Sequence, residues 1–410
     1  MAKATIHVGL EIGTSKVCAV VGEARPDGSA RILGVGQAPS RGVRKGEIVD
    51  FETAQICLHD ALVRAEDRSD VTIRSVYLAV SGSHIESLNN RGCIRIPEGQ
   101  SEITVEDIDE VKEMAREVAI PQQNVFLHSI VRHYIVDGQD QVLNPVGMLG
   151  RRLEADYHIV HGIRTRIQNS IRCVREIPLE VEDVVFAPIA AAQVALTREQ
   201  KDRGALLIDM GGGTTDYLLF ADGAPAHSGS IPLGGDHVTN DLSIVLKIPL
   251  TRAEKLKVEE GSVDFENVRA DDMVRIEDDS RYVGKEVERS MVNEVIHARV
   301  RETLEQIYRR LEHTGYLEKV GAGVFLTGGA SLLGGVESLA ESIFDSAVHR
   351  AATAPMSGLS ATFENPQYAV PIGLIRYAQL VQAERPSGSA IGRLTKKLSG
   401  IFGASRMLLG

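Results

Sequence analysis

At 410 residues the chain exceeds one ordinary domain, and two or more are expected. A hydrophobic content of 43% and a charged content of 25% are those of a soluble globular protein, and a formal net charge of −11 argues against nucleic acid as a partner. Cys18, Cys57, Cys93 and Cys173 form no CxxC pair, which excludes an obvious zinc or disulfide framework and suits a reducing cytoplasm.

In chain order, Ile6-His7-Val8-Gly9-Leu10-Glu11-Ile12-Gly13-Thr14-Ser15-Lys16 reads as an apolar strand ending in a carboxylate, a glycine and hydroxyls. A second strand over Val17 to Val21 makes this a hairpin, and Arg31 to Gln37 reads as a third strand. A strand already begins by Thr5 with no apolar signal core, so secretion is not expected. Phe51 to Glu66 has helical periodicity, and Val76 to Val80 reads as a buried strand.

Between about His84 and His161 the rhythm changes. Strand-like stretches at Ile85 to Ile96, Val125 to Val136 and Asp156 to Val160 bracket a helix from Val105 to Val118. Thr104 is the expected N-cap, with Asp107 as its capping-box partner, and Asp137-Gly138 signals a hairpin turn. This reads as an inserted α+β unit, because the α/β pattern resumes with a helix at Arg164 to Glu176, a strand at Val181 to Phe186 and a helix at Pro188 to Leu196.

The first device then recurs. Leu206-Leu207-Ile208-Asp209-Met210-Gly211-Gly212-Gly213-Thr214-Thr215-Asp216 is again strand, acid, glycines and hydroxyls, followed by a strand from Tyr217. Glycines let backbone N–H groups approach a phosphate closely, and Thr214 and Thr215 can add hydroxyl donors. Asp209 could orient the waters that Mg²⁺ keeps around itself. Two copies of one device predict two similar half-domains facing a phosphate chain from opposite sides. A third glycine element, Gly328-Gly329-Ala330-Ser331, follows the short strand Val324 to Leu326.

Between these, a strand at Ala226 to Pro232 leads to the turn Gly234-Gly235-Asp236. Residues 237–317 read as mostly helical and strongly charged. A helix opens at Thr251 and carries Glu254 and Lys257, and a long one is expected from Glu286 to His313. Its apolar stripe is Val292, Val295, Ile296, Val300, Leu304, Ile307 and Leu311, with Arg299 and Arg301 off it beside acidic neighbours. Ser338 to Phe344 and Ile372 to Val381 read as the remaining helices, and the Tyr368 to Leu374 stretch is expected to close the core.

The end of the chain differs in kind. Residues 385–389 include Pro386 and Gly388 and read as a flexible linker. Residues 390–410 hold no acidic residue. Ile391, Leu394, Leu398, Ile401 and Phe402 form one helical face, with Lys396 and Lys397 among the cations opposite. That pattern predicts an interfacial helix that sinks its apolar face into a membrane of anionic lipid. A helix-in-groove ligand is the competing reading.

These motifs resemble the superfamily of actin, the Hsp70 ATPase domain and sugar kinases, in which two α/β lobes clasp ATP and Mg²⁺. Glu11-Ile12-Gly13-Thr14 is similar to its first phosphate loop, with Ser15 and Lys16 adjoining, and Asp209 to Asp216 to its second. Leu326 to Ser331 resembles the adenosine loop. By the same resemblance Gly234, Gly235, Glu254 and Lys257 would line the nucleoside pocket, and Glu11 and Asp209 would meet Mg²⁺ through water. Within the superfamily the whole chain resembles the FtsA family of bacterial cell-division proteins. Tyr134-Ile135-Val136-Asp137-Gly138, then Asn144-Pro145-Val146-Gly147-Met148 and Gly150, are similar to that family's inserted subdomain.

The resemblance implies an actin-like two-lobed α/β fold. Its first lobe would comprise residues 1–83 and 162–200, with an α+β insert at 84–161. The second would comprise 201–236 and 318–384, with a helical subdomain at 237–317. It implies an ATP-binding protein that polymerises on the cytoplasmic side of the inner membrane and tethers the tubulin-like FtsZ ring at the division site. The FtsZ tail would dock on the helical subdomain, with Arg299 and Arg301 as candidate contacts. The insert would meet neighbouring protomers and other division proteins.

One departure bears on catalysis. Hsp70-like members carry a glutamate before the proline of the first connecting helix, and actin has a glutamine nearby. Here the stretch is Val185-Phe186-Ala187-Pro188, and Gln193 lies within the helix that follows. Tight nucleotide binding with slow hydrolysis at most is the expectation, and no catalytic residue is assigned. A phosphotransferase on the same fold and a pilus-assembly adaptor are the competing readings. An Hsp70-type chaperone is disfavoured, because too little chain follows residue 385 for a peptide-binding domain.

Overall fold

The apolar runs of the first eighty residues become strands of one sheet. The structure is a computed structural model that describes residues 5–25, 29–97, 99, 102–269, 271–277, 283–351, 357 and 364–384. Strands β1 (Thr5–Ile12), β2 (Lys16–Ala24) and β3 (Ala30–Pro39) pair antiparallel in succession. A short hairpin, β4 (Val43–Arg44) and β5 (Glu47–Ile48), leads into α1 (Phe51–Ser69), whose first turn is capped by Asp50. β6 (Ser75–Val80) then lies parallel to β1.

The insert comprises β7 (Ile85–Arg95), α2 (Val105–Arg116), β8 (Asn124–Val136), β9 (Gln139–Val142) and β10 (Arg152–Ile163). Its strands form an antiparallel sheet in the order β7-β10-β8-β9, with α2 packed on β7 and β10. Thr104 and Asp107 make the reciprocal capping box at the start of α2. Asp137 and Gly138, both at positive φ, turn β8 into β9. Ile94, Val111, Leu153 and Tyr157 belong to a core separate from those of the lobes, as an inserted unit requires.

The first lobe resumes with α3 (Arg164–Arg175), β11 (Glu180–Phe186), α4 (Ala187–Ala195) and α5 (Arg198–Asp202). Its sheet order is β11-β6-β1-β2-β3. The second lobe repeats the plan with an antiparallel meander of β12 (Ala205–Met210), β13 (Thr215–Ala221) and β14 (Ala224–Ile231). Then come α6 (Gly235–Leu246), α7 (Leu250–Glu260), β15 (Met273–Ile276), β16 (Lys285–Glu288) and α8 (Arg289–Leu311). β17 (Val324–Thr327), α9 (Val336–Phe344), β18 (Val348–Arg350) and α10 (Ala369–Glu384) complete the described chain. Its order, β14-β13-β12-β17-β18, is that of the first sheet strand for strand, with the last two strands parallel to the first of each lobe.

Period-two alternation divides the second sheet between two cores. Leu207, Leu218 and Phe220 join the core that runs through α4 and α10 to the first sheet. Leu206, Ile208 and Leu219 face the helical side with Val292, Ile296, Val300, Leu304, Ile307 and Leu311, the stripe expected on α8.

Two expectations from the sequence are corrected. Chain order put all of residues 318–384 in the second lobe, but α10 packs on β1, β2, β6 and α4 of the first. Backbone approach explains why: a Cβ on Gly9 would stand 2.3 Å from the Pro371 carbonyl oxygen, and one on Gly373 would stand 2.0 Å from that of Ala190. Residues 237–317 are mostly helical as expected, but the long helix starts later than expected. Glu286-Val287-Glu288 alternates with period two and pairs with β15, burying Val287 beside Val274, so the long helix begins at Arg289 rather than Glu286. The expected linker at 385–389 and amphipathic helix at 390–410 lie outside the described residues. Among those described, no helix is long and apolar enough to cross a membrane.

Candidate functional site

β1 and β12 end at the same kind of turn. The Gly13 amide donates to the Lys16 carbonyl at 3.0 Å, and the Gly211 amide to the Thr214 carbonyl at 2.9 Å. At both positions a Cβ would stand 2.9 Å from the carbonyl that closes the turn, so each loop requires its glycine. The two loops face each other across the lobes: a Cβ on Gly213 would lie 2.4 Å from Thr14 Oγ1, and one on Gly212 would lie 3.1 Å from Ser15 Cβ.

Between them is a cavity of about 410 Å³, a size that suits a small-molecule ligand. Glu11, Gly13, Thr14, Ser15 and Lys16 line it from the first lobe. Asp209, Gly211, Gly212, Gly213 and Thr214 face them from the second. Gly235, Glu254, Lys257, Gly328 and Gly329 also line it. The structure thus brings together most of the residues singled out in the sequence. Three stand behind the wall. Thr215 is buried and donates its hydroxyl to the Leu233 carbonyl at 2.9 Å. Gly234 packs beneath the second loop, against the Gly211 and Gly212 carbonyls. Ser331 is buried and donates to the Gly328 carbonyl at 2.7 Å.

The floor of the cavity is acidic. Asp209 and Asp216 face each other as cross-strand partners, and Glu11 ends the opposing strand. Burial raises Glu11 and holds Asp209 well above the usual carboxylate range, with Asp216 and Glu11 adding repulsion at Asp209 and Lys16 opposing both shifts. Burial likewise pushes Asp216 up to about 6, opposed by the Ser230 and Ser81 hydroxyls. Glu11 Oε2 and Asp216 Oδ1 are buried without a hydrogen-bond partner. Lys16 donates to the Gln367 carbonyl, and its ammonium lies 4.5 Å from the Tyr368 ring centre.

Lys257 Nζ donates to Glu254 at 2.6 Å, Thr239 Oγ1 at 2.9 Å and the Gly235 carbonyl at 3.1 Å. That knot fixes α7 against the start of α6. Gly328, at φ 84°, would bring a Cβ within 2.4 Å of Asp209 Oδ1, whereas a Cβ on Gly329 meets nothing within 4 Å. Gly329 is exposed, and the space beside it is open.

The sequence reading missed Gly46, Ser81, Asp216 and Gln367 as lining residues. The Gly46 amide donates to Thr14 Oγ1 at 3.1 Å, and Ser81 Oγ lies 2.9 Å from Thr214 Oγ1. A signal for Ser81 existed: β6 runs parallel to β1, so the residues after it emerge at the same sheet edge as Gly13.

Of the two arginines proposed for a partner, Arg299 is committed within the fold, donating to Asp241 at 2.6 Å and pairing with Glu302. Arg301 is more exposed and pairs with Glu305 at 2.8 Å. Ile391, Leu394, Lys396, Lys397, Leu398, Ile401 and Phe402 lie outside the described residues.

Residues 206–373 match the family described as cell division protein FtsA, and residues 82–161 match the SHS2 domain inserted in FtsA. The second match coincides with the insert recognised from the sequence. The chain is 36% identical over 385 residues to the cell division protein FtsA of Pseudomonas aeruginosa, covering 94% of this chain and 92% of that one. Two solved structures share the fold at low identity. One is a PilM–PilN type IV pilus biogenesis complex, with TM-score 0.64, 16% identity and coverage of 91% of this chain and 98% of that one. The other is MreB5 of Spiroplasma citri bound to ADP, with TM-score 0.52, 17% identity and coverage of 93% and 99%. The duplicated sheets thus share the fold of these two structures, and on sequence identity along nearly its whole length the chain belongs to the FtsA family of cell division proteins.

Proposed function

We propose that the chain binds ATP with Mg²⁺ between its lobes, polymerises on the inner face of the cytoplasmic membrane and anchors the tubulin-like FtsZ ring there, recruiting later division proteins. The observation that carries the nucleotide reading is the pair of matching glycine turns facing one cavity from two copies of one sheet. In this reading the amides of residues 13–16 and 211–214 and the Thr14, Ser15 and Thr214 hydroxyls cradle the phosphates, with Lys16 supplying positive charge. Gly235, Glu254 and Lys257 flank the nucleoside on one side, and Gly328 and Gly329 on the other.

The acidic floor fits a hard cation. Three carboxylates crowd together, and two of them keep buried oxygens without partners, an arrangement that a divalent ion would relieve. Among the described residues no three such side chains are grouped as a direct ligand set, so Glu11 and Asp209 would meet Mg²⁺ through its waters. When bound, the ion would neutralise phosphate charge and link the nucleotide to both lobes.

Slow hydrolysis at most follows from the residues near the connecting helix. Ala187 lines the cavity where Hsp70-like relatives carry a water-positioning side chain, and Gln193 donates to the Ile189 carbonyl at 3.0 Å. ATP then acts chiefly as a ligand that holds the lobes in a polymer-competent arrangement. Arg301 is the better placed of the two arginines to meet the acidic end of the FtsZ tail. The basic amphipathic segment 390–410 is the membrane anchor, and the insert meets neighbouring protomers.

Calorimetric titration of the full chain with ATP, with and without Mg²⁺, tests the nucleotide reading. Saturable binding that strengthens with Mg²⁺ is expected. Absence of binding in both conditions would overturn it.

A further inference from the structure

β14 is the edge strand of the second sheet, and an open edge exposes a row of unpaired backbone groups. Here alternate carbonyls of that row are closed by side chains from two other parts of the molecule. Asn89 Nδ2 donates to the Ala226 carbonyl at 2.8 Å. Ser87 Oγ donates to the Ser228 carbonyl at 2.7 Å and accepts the Ser228 amide at 3.1 Å. Arg310 of α8 donates to the Ser230 carbonyl at 2.9 Å. Ser87 and Asn89 both belong to β7 of the insert, so the insert rests on the second lobe although the chain attaches it to the first.

His158 fixes this seam. It is fully buried and stands opposite Asn89 on the neighbouring strand β10. With the Asn89 amide nitrogen turned to the Ala226 carbonyl and, at 3.2 Å, to the Tyr316 hydroxyl, its oxygen must face His158. His158 Nδ1, 2.8 Å from that oxygen, therefore carries the proton, and Nε2 accepts from the Ser228 hydroxyl at 2.9 Å. Each of these groups has a matching partner, and the arrangement admits one proton placement.

The same strand runs directly into the cavity. After Ile231 come Gly234 and Gly235, and the Gly235 and Asp236 amides donate to the Gly211 and Gly212 carbonyls at 2.9 and 2.8 Å. The second glycine loop is thus tied by two backbone hydrogen bonds to the residues that follow β14. Three residues earlier the strand carries the insert through side chains, a contact that can re-form elsewhere more easily than a strand ladder can.

We propose that β14 couples the cavity to the insert, so that nucleotide occupancy sets how the insert sits on the second lobe. The proposal rests on the nucleotide reading above and adds a regulated surface to it, since contacts made by the insert become sensitive to what the cavity holds.

Hydrogen–deuterium exchange of the full chain, with and without the ATP analogue AMPPNP and Mg²⁺, tests the coupling. Slower exchange is expected both in the glycine loop (residues 206–216) and in insert strands β7 and β10. In the Ser87→Ala/Asn89→Ala variant the loop keeps its protection and the insert loses its nucleotide-dependent part. Ser87→Ala alone, a milder change should the double variant fold poorly, loses it in part. Protection of the loop without any change in the wild-type insert would overturn the coupling while sparing the nucleotide reading. So would an insert response in the variants equal to wild type. No change in the loop itself would remove the nucleotide reading and the coupling together.

Discussion

Gly329 and Gly213 both line the cavity, and alanine at each separates a ligand site from a contact between lobes. Gly329 lines the cavity and is exposed, and a Cβ there meets open space, so the added methyl presses on no neighbouring protein atom. Thermal stability without nucleotide should change little, as for a substitution that touches nothing, within about 0.5 kcal/mol. If the nucleotide occupies that space, the methyl overpacks it at a cost of about 1–3 kcal/mol, or roughly 5- to 150-fold in Kd. At Gly213 the Cβ would lie 2.4 Å from Thr14 Oγ1 and 2.8 Å from the Lys45 amide nitrogen, both on the opposite lobe. Those atoms must retreat by several tenths of an ångström, so Gly213→Ala should lower both melting temperature and nucleotide affinity. Thermal unfolding and fluorescence titration with a labelled ATP read the two quantities. Wild-type affinity in Gly329→Ala would refute the placement of the nucleotide against the third glycine element.

The remaining expectations follow from packing and charge. Gly373→Ala should destabilise the fold by about 1–3 kcal/mol or more in chemical unfolding, because its Cβ would press on the Ala190 carbonyl at 2.0 Å. Burial lowers His128 to about 4 and His158 to about 3, so both are neutral in the fold, while the unfolded chain takes up their protons near pH 6.5. The stability they contribute is complete above about pH 6.5 and is lost as pH falls toward 4, whereas Asp216, raised to about 6, acts in the opposite sense over pH 4–6. His158→Gln should therefore flatten the loss between pH 6.5 and 4.5 by up to about 3 kcal/mol in urea unfolding, and an unchanged slope would contradict this. Arg301→Ala should weaken binding of an acidic FtsZ-tail peptide without altering the melting temperature. Arg299→Ala should lower stability, since it breaks the pair with Asp241.

The glycine loops were legible because each apolar run stops at a carboxylate and glycines, a pattern that leaves few structural uses. The capping box of α2 and the Asp137-Gly138 turn were legible for the same reason: local chemistry dictates local geometry. Assignment of α10 to a lobe was not, because an apolar helix does not announce which sheet it covers. That choice rests on Gly9 and Gly373, whose use depends on partners distant in the chain, Pro371 and Ala190. The β15–β16 hairpin was hidden by its brevity, four residues a strand inside charged sequence. Asp216 was in view but acquired meaning only from the register that sets it opposite Asp209. The side-chain seam along β14 has no sequence signature at all, since Ser87, Asn89 and His158 are ordinary strand residues until the insert meets the second lobe.

A protein that binds nucleotide between its lobes and assembles on membrane through residues 390–410, as proposed, would need both that segment and ATP to coat a vesicle. Co-sedimentation with anionic liposomes and ATP, comparing the full chain with one ending at Ser387, tests it most directly, with electron microscopy of the same pellets. The account predicts that only the full chain pellets and that filaments coat the vesicles. Both chains remaining in the supernatant without filaments would contradict it.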